Sequence, residues 1–187
     1  LLDPTTIIYN KCAVADCGAR KGIVAVRVQL PGVPEPIVIL TTHMQAHKEN
    51  DDVRIDQIDQ SLSFLSDAGI YEYPSVYAGD FNFKARDDHE AHPSYVHFLA
   101  NTPYASTGEL CVNDTECITG LGPDGNTDEH DLWWSTNDHQ FYHAPVVSGY
   151  TINPLFFELL FTTPFNGDPL SDHWAVEARY QISNHER

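Results

Sequence analysis

Nothing in this sequence is built to cross a bilayer as a helix: no apolar run approaches the ~20 residues that a span requires. Nor does it hold a positively charged segment leading into an apolar one of the signal-peptide kind. Basic charge is scarce. Lys and Arg number 10 against 27 Asp and Glu, a formal net charge of -17, and no Lys/Arg run offers a stripe to neutralise a phosphate backbone. That balance favours solubility and repels polyanions at long range, which argues against broad nucleic-acid binding. A local metal site can still reverse the field where a single phosphate binds. Repeats, linkers and low-complexity tracts are also missing, so one domain is expected over residues 1–187. With 187 residues, 42% of them hydrophobic, the chain is long enough for a real apolar core.

Cysteine is sparing and paired: Cys12 lies close to Cys17, and Cys111 close to Cys117. Set among Asp, Gly, Asn and Thr, these read as small-loop disulfides of an oxidising compartment. A four-ligand zinc site is the alternative, at spacings wider than the usual two-residue knuckle. Asn113-Asp114-Thr115, inside the second cysteine loop, is a glycosylation sequon in a eukaryotic host.

Apolar patterning predicts alternating strands and helices. Ile23 to Leu30 alternates, Pro31 to Pro36 turns, and Ile37-Val38-Ile39-Leu40 reads as a strand buried on both faces. Asp51-Asp52 can cap a helix whose stripe is Ile55, Ile58, Leu62 and Leu65, ending near Gly69. Ser75 to Ala78 is a short buried strand broken by Gly79, and Pro93 to Ala100 suits a second helix. Ser106 to Asn126 reads as a loop, and Leu132-Trp133-Trp134 and Trp174 to Tyr180 as strands. The mixture implies a layered α/β fold.

Polar residues at the ends of buried strands are fixed by the strand yet open to solvent, which suits chemistry. Three ends stand out: Thr41-Thr42-His43-Met44-Gln45, Gly79-Asp80-Phe81-Asn82 and Ser171-Asp172-His173. Singly, each is as ordinary as a turn or a hydrogen-bonded histidine. Together they supply what phosphodiester hydrolysis needs. Asp80 is a hard oxygen ligand for a divalent cation, and Asn82 a donor to a phosphoryl oxygen. His173 is a base titrating near neutrality, and His43, when protonated, stabilises developing negative charge.

Thr-His-Met-Gln, a helix with Arg54 and Gln57, Gly-Asp-Phe-Asn, Asp-Leu-Trp-Trp and Ser-Asp-His occur here in one order, from about Lys21 onward. In that order the chain resembles the endonuclease/exonuclease/phosphatase superfamily, and within it the secreted bacterial-type neutral sphingomyelinases. The resemblance implies a DNase I-like α/β/β/α four-layer sandwich, of which this chain would be the C-terminal half to two-thirds. It implies a secreted, metal-dependent phosphodiesterase releasing phosphocholine from sphingomyelin, with Mg2+ (or Mn2+, Co2+ or Ca2+) held by Asp80 and Asp172. Asn82 would bind the phosphoryl group and His173 act as general base, with Asp131, or failing it Asp128, orienting that base.

Tyr150 to Phe165, flanked by Pro154 and Pro164, would be an aromatic hairpin before the last strand, with Phe156 and Phe157 entering a membrane interface. A buried core segment is the alternative for the same composition. The family's principal metal-binding Glu belongs to an N-terminal half with no counterpart here; Glu35 and Asn10 stand in other contexts. An upstream segment, a partner chain or self-assembly is therefore expected to cover an apolar sheet face. A secreted DNase I-like nuclease and a non-catalytic binding protein remain the competing functions.

Overall fold

A computed structural model describes residues 4–87, 90–113, 117–119, 136–145, 149–160, 166, 168 and 171–184. Its strands are β1 (Thr5–Ile8), β2 (Gly22–Val28), β3 (Ile37–His43), β4 (Ser75–Asp80), β5 (Arg86–Asp87), β6 (Glu90–Ala91), β7 (Ala105–Ser106), β8 (Ile118–Thr119), β9 (Asp138–His143), β10 (Tyr150–Leu160) and β11 (Ala175–Asn184). Helices α1 (Asp51–Asp67), α2 (Pro93–Asn101) and α3 (Thr107–Asn113) complete the described regular structure, with short 3-10 turns between. Six strands form one sheet in the order β1-β2-β3-β4-β9-β7, and three form another, β11-β10-β8.

The β2–β3 pair is the expected antiparallel neighbour pair, and β4 joins β3 in parallel through the α1 crossover. Leu40, Tyr77 and Phe141 are in register across β3, β4 and β9. All three are fully buried, in a core that α1 fills with Ile58, Phe64 and Leu65 and α2 with Tyr95 and Phe98. Phe98 and Phe141 meet at 4.5 Å between ring centroids. The other sheet face is met at β9 by the second sheet: Gln140 donates to the Val176 carbonyl at 3.0 Å and accepts from the Tyr180 hydroxyl at 3.2 Å. At its β1–β3 end that face is open, and Ile8, Val24 and Ile39 are 52, 39 and 43% exposed. The expectation that Ile37 to Leu40 is buried on both faces therefore fails at Ile39.

Four further expectations change. Asp51 and Asp52 sit in the first turn of α1 without capping it; the N-cap is Asn50. Their charge still suits the positive helix end. The buried face of α1 includes Arg54, Gln57 and Ser61 beside its apolar residues. Strand β4 runs through Gly79 to Asp80, and Ser106–Asn126 is not all loop, since α3 lies within it.

The aromatic hairpin is the largest correction. β10 pairs with β11 from Tyr150–Asn184 to Leu160–Ala175, with a bulge between Pro154 and Phe156. The extra residue inverts the side-chain alternation, so Ile152 and Phe157 are both buried, at 2 and 3% exposure. Phe157 is a core residue, and Phe156 lies under the Arg179 guanidinium, 4.6 Å from its ring centroid. Phe157 is therefore not exposed, and Phe156 is half-buried. Phe161 and Phe165 lie outside the described residues, as does Leu132-Trp133-Trp134.

Both cysteine pairs are disulfides, Cys12–Cys17 and Cys111–Cys117, with Cα atoms 5.1 and 4.8 Å apart. With no free cysteine, the zinc alternative falls. The first disulfide ties Cys12 to a 3-10 turn, Val14–Gly18, that docks on the segment following β3: Asp16 accepts from the Ala46 N–H at 2.6 Å and from Lys21 at 2.7 Å.

Candidate active site

Three adjacent strands end in one row of polar residues. Register pairs His43 of β3 with Asp80 of β4, and Asp80 with Asp138 of β9, so the three side chains leave the same sheet face. His43 Nε2 lies 3.3 Å from Asp80 Oδ2. His173, in the segment leading into β11, brings Nδ1 to 2.6 Å from Asp138 Oδ2. Ligand atoms of Asp80, Asp138 and His173 all fall within 4.8 Å of one another. That donor set, two carboxylates and an imidazole, suits a divalent cation.

Asp138 is the residue that sequence reasoning missed. Asp131 and Asp128, proposed for its place, lie outside the described residues, and the carboxylate observed beside His173 is Asp138. It sits in Thr136-Asn137-Asp138-His139, where alternation of buried His139 and Phe141 is the signal that could have marked a strand starting at Asp138. Asp172 is exposed, accepts a 3.4 Å bond from the Ser171 hydroxyl, and is not in the converging donor set. Its charge still acts on His173.

Burial and the Asp80 charge hold the Asp138 carboxyl above its usual range, against the opposing pull of its His173 bond. The His173 imidazole is raised too, first by that hydrogen bond, opposed by burial, and then by the charges of Asp138, Asp80 and Asp172. Each partner thus favours keeping the proton between them. Nδ1–H donates to Asp138, and in the neutral ring Nε2 carries the free lone pair.

Asn82 is set by its backbone. It holds φ 53°, a left-handed conformation that Asn tolerates better than most residues, and its N–H donates to Asp80 Oδ1 at 2.8 Å. Its side-chain Nδ2 donates to the Met44 carbonyl at 3.0 Å, so the amide faces the turn after β3. Gly79 makes the row possible. At φ 147° its Cα lies against Thr42 of β3, and a Cβ there would sit inside the Thr42 carbonyl oxygen. Gly79→Ala is expected to cost at least about 2 kcal/mol, read as a lower urea midpoint, by splaying β3 from β4. An unchanged midpoint would refute this account of the glycine.

No protein-family model matches the chain, and a search of curated proteins returns no match. Solved structures do match. TDP2 from D. rerio, complexed with a single-strand DNA product, aligns with TM-score 0.66 and 17% identity over 96% of this chain and 67% of its own. Sphingomyelinase C from Streptomyces griseocarneus aligns with TM-score 0.60 and 20% identity over 94% of this chain and 63% of its own. Beta toxin from Staphylococcus aureus gives TM-score 0.61 and 15% identity over 92 and 61%. These likenesses show a DNase I-like fold, as the motif order implied. The chain spans about two-thirds or less of the length of each of these three.

Proposed function

We propose that this chain is the base-bearing part of a secreted, metal-dependent phosphodiesterase acting on sphingomyelin or a related phospholipid. The observation that carries the proposal is the hydrogen-bonded His173–Asp138 pair beside Asp80 and His43. His173 Nε2 takes the proton of a water molecule placed in line with the scissile P–O bond, while Asp138 holds the ring in the correct tautomer. Asn82 and His43 donate hydrogen bonds to the phosphoryl oxygens. A divalent cation held by Asp80 would polarise those oxygens and ease departure of the leaving group. Two disulfides support an oxidising, extracellular setting.

The lipid choice rests on the motif set, the acidic charge and the likeness to sphingomyelinase C, not on Phe156 and Phe157. We propose that the site works at a membrane surface as a peripheral enzyme. The exposed Ile8, Val24 and Ile39 share the face of the catalytic row, and further polypeptide, a partner chain or a second copy covers them. A nuclease is the second reading, favoured by the likeness to TDP2 bound to DNA product.

Sphingomyelin liposomes and supercoiled plasmid, each with Mg2+, separate the two. Phosphocholine release without plasmid nicking is the expected result; nicking alone would transfer the site to nucleic acid. Neither activity, with no divalent-cation binding by calorimetry, would favour a binding protein that keeps the fold.

A further inference from the structure

Gln57, on the buried face of α1, is 1% exposed and uses both ends of its amide. Its Oε1 accepts from the Gln45 N–H at 2.8 Å, and its Nε2 donates to the Lys11 carbonyl at 2.8 Å. The Gln45 N–H belongs to the same planar peptide unit as the Met44 carbonyl, and in a trans peptide the two point in opposite directions. Fixing the N–H on one side therefore aims the carbonyl on the other. That carbonyl accepts from Asn82 Nδ2 at 3.0 Å and from Lys21 Nζ at 2.8 Å. Arg54, fully buried, binds the next carbonyl, Gln45 O, at 3.0 Å, and His47 O at 2.7 Å, so the turn beyond this peptide is held from α1 as well.

We infer that Gln57 is a positioning residue for the phosphoryl-binding Asn82, acting through the Met44–Gln45 peptide. The Met44 carbonyl takes one N–H of the Asn82 amide, which fixes which way that amide faces and leaves its second N–H for a phosphoryl oxygen. If Gln57 no longer accepts from the Gln45 N–H, the bond that fixes that side of the peptide plane is lost and the Met44 carbonyl is held less firmly against Asn82. The inference rests on the reading of Asn82 as a phosphoryl donor, and its test has a readout that does not.

In the full chain labelled with 15N, the Asn82 side-chain NH2 pair is identified by its loss in Asn82→Asp. Gln57→Met, which keeps the length and removes the acceptor, is expected to shift that pair toward solvent-exposed values. It should also lower kcat about tenfold, against about 100-fold or more for Asn82→Ala. Gln57→Glu, whose protonated carboxyl accepts and donates as the amide does, is expected to restore both. An unchanged Asn82 pair in Gln57→Met overturns the inference, as does an equal defect in Gln57→Glu or normal turnover with the pair displaced. If Gln57→Met does not fold by circular dichroism, Gln57→Asn withdraws the acceptor by one methylene and gives the same readout. If the wild-type chain hydrolyses no phosphodiester, the proposed function fails while the NMR comparison still decides the positioning.

Discussion

His173→Gln is expected to lower phosphodiester hydrolysis about 10³-fold at saturating substrate, with the melting temperature little changed. Glutamine keeps much of the volume and can still donate to Asp138, so the substitution removes proton transfer more than packing. The side chain is 38% exposed, which is why the fold should tolerate it. The loss should fall on kcat and kcat/KM together, because a proton moves only in the transition state. The wild-type rate should rise as pH increases through the raised His173 pKa, since only the neutral ring can act as base. In the variant that rise should vanish. Residual activity within about tenfold of wild type would mean that another group, or water alone, is the base.

Asp138→Asn carries the second-largest expected effect, about 10²- to 10³-fold in kcat. An amide can turn its NH2 toward Nδ1, which would force the proton onto Nε2, the atom that must receive one from water. The pH profile gives a second readout. The Asp138 hydrogen bond is the first cause of the upward shift at His173, so its loss should move the acid limb of the profile to lower pH while the plateau falls. The same sign governs stability. A histidine whose folded pKa is raised contributes stability fully present below its unfolded pKa and lost as pH rises through the folded one. The variant should therefore lose stability relative to wild type on the acid side of that window and little above it. Unchanged activity and an unmoved acid limb would remove Asp138 from the mechanism.

What the sequence made legible was what periodicity and strand ends report. The β2–β3 pair, α1, α2 and the His43, Asp80 and His173 strand-end positions could be read because apolar runs stop at polar residues there. Asp138 was hidden because Thr136-Asn137-Asp138-His139 looks like loop chemistry until His139 is known to be buried. The polar face of α1 was hidden for a related reason: Arg54, Gln57 and Ser61 are buried by hydrogen bonds to the main chain, for which an apolar stripe gives no sign. Phe157 was misplaced because a bulge changes which residues face inward, and one inserted residue leaves no mark in composition. An uncovered apolar sheet face was expected from the lack of an N-terminal half, but its place at Ile8, Val24 and Ile39 was not, since the run Ile37 to Leu40 reads as buried on both sides.

The row of polar residues joins the ends of three strands that are neighbours in space but not in sequence, and its fourth member enters ahead of β11. His43 and Asp80 meet across a helical crossover, Asp138 arrives antiparallel on their far side, and His173 comes from the second sheet's approach. None of these encounters is local, so each must wait for loop closure before it yields any contact energy. Helix α1 closes only local contacts, whereas the His173–Asp138 bond spans 35 residues and is expected to form later in chain assembly. During refolding, the pairing of His173 with Asp138 is therefore expected to report the completion of long-range contacts, and to return after the helical signal has recovered.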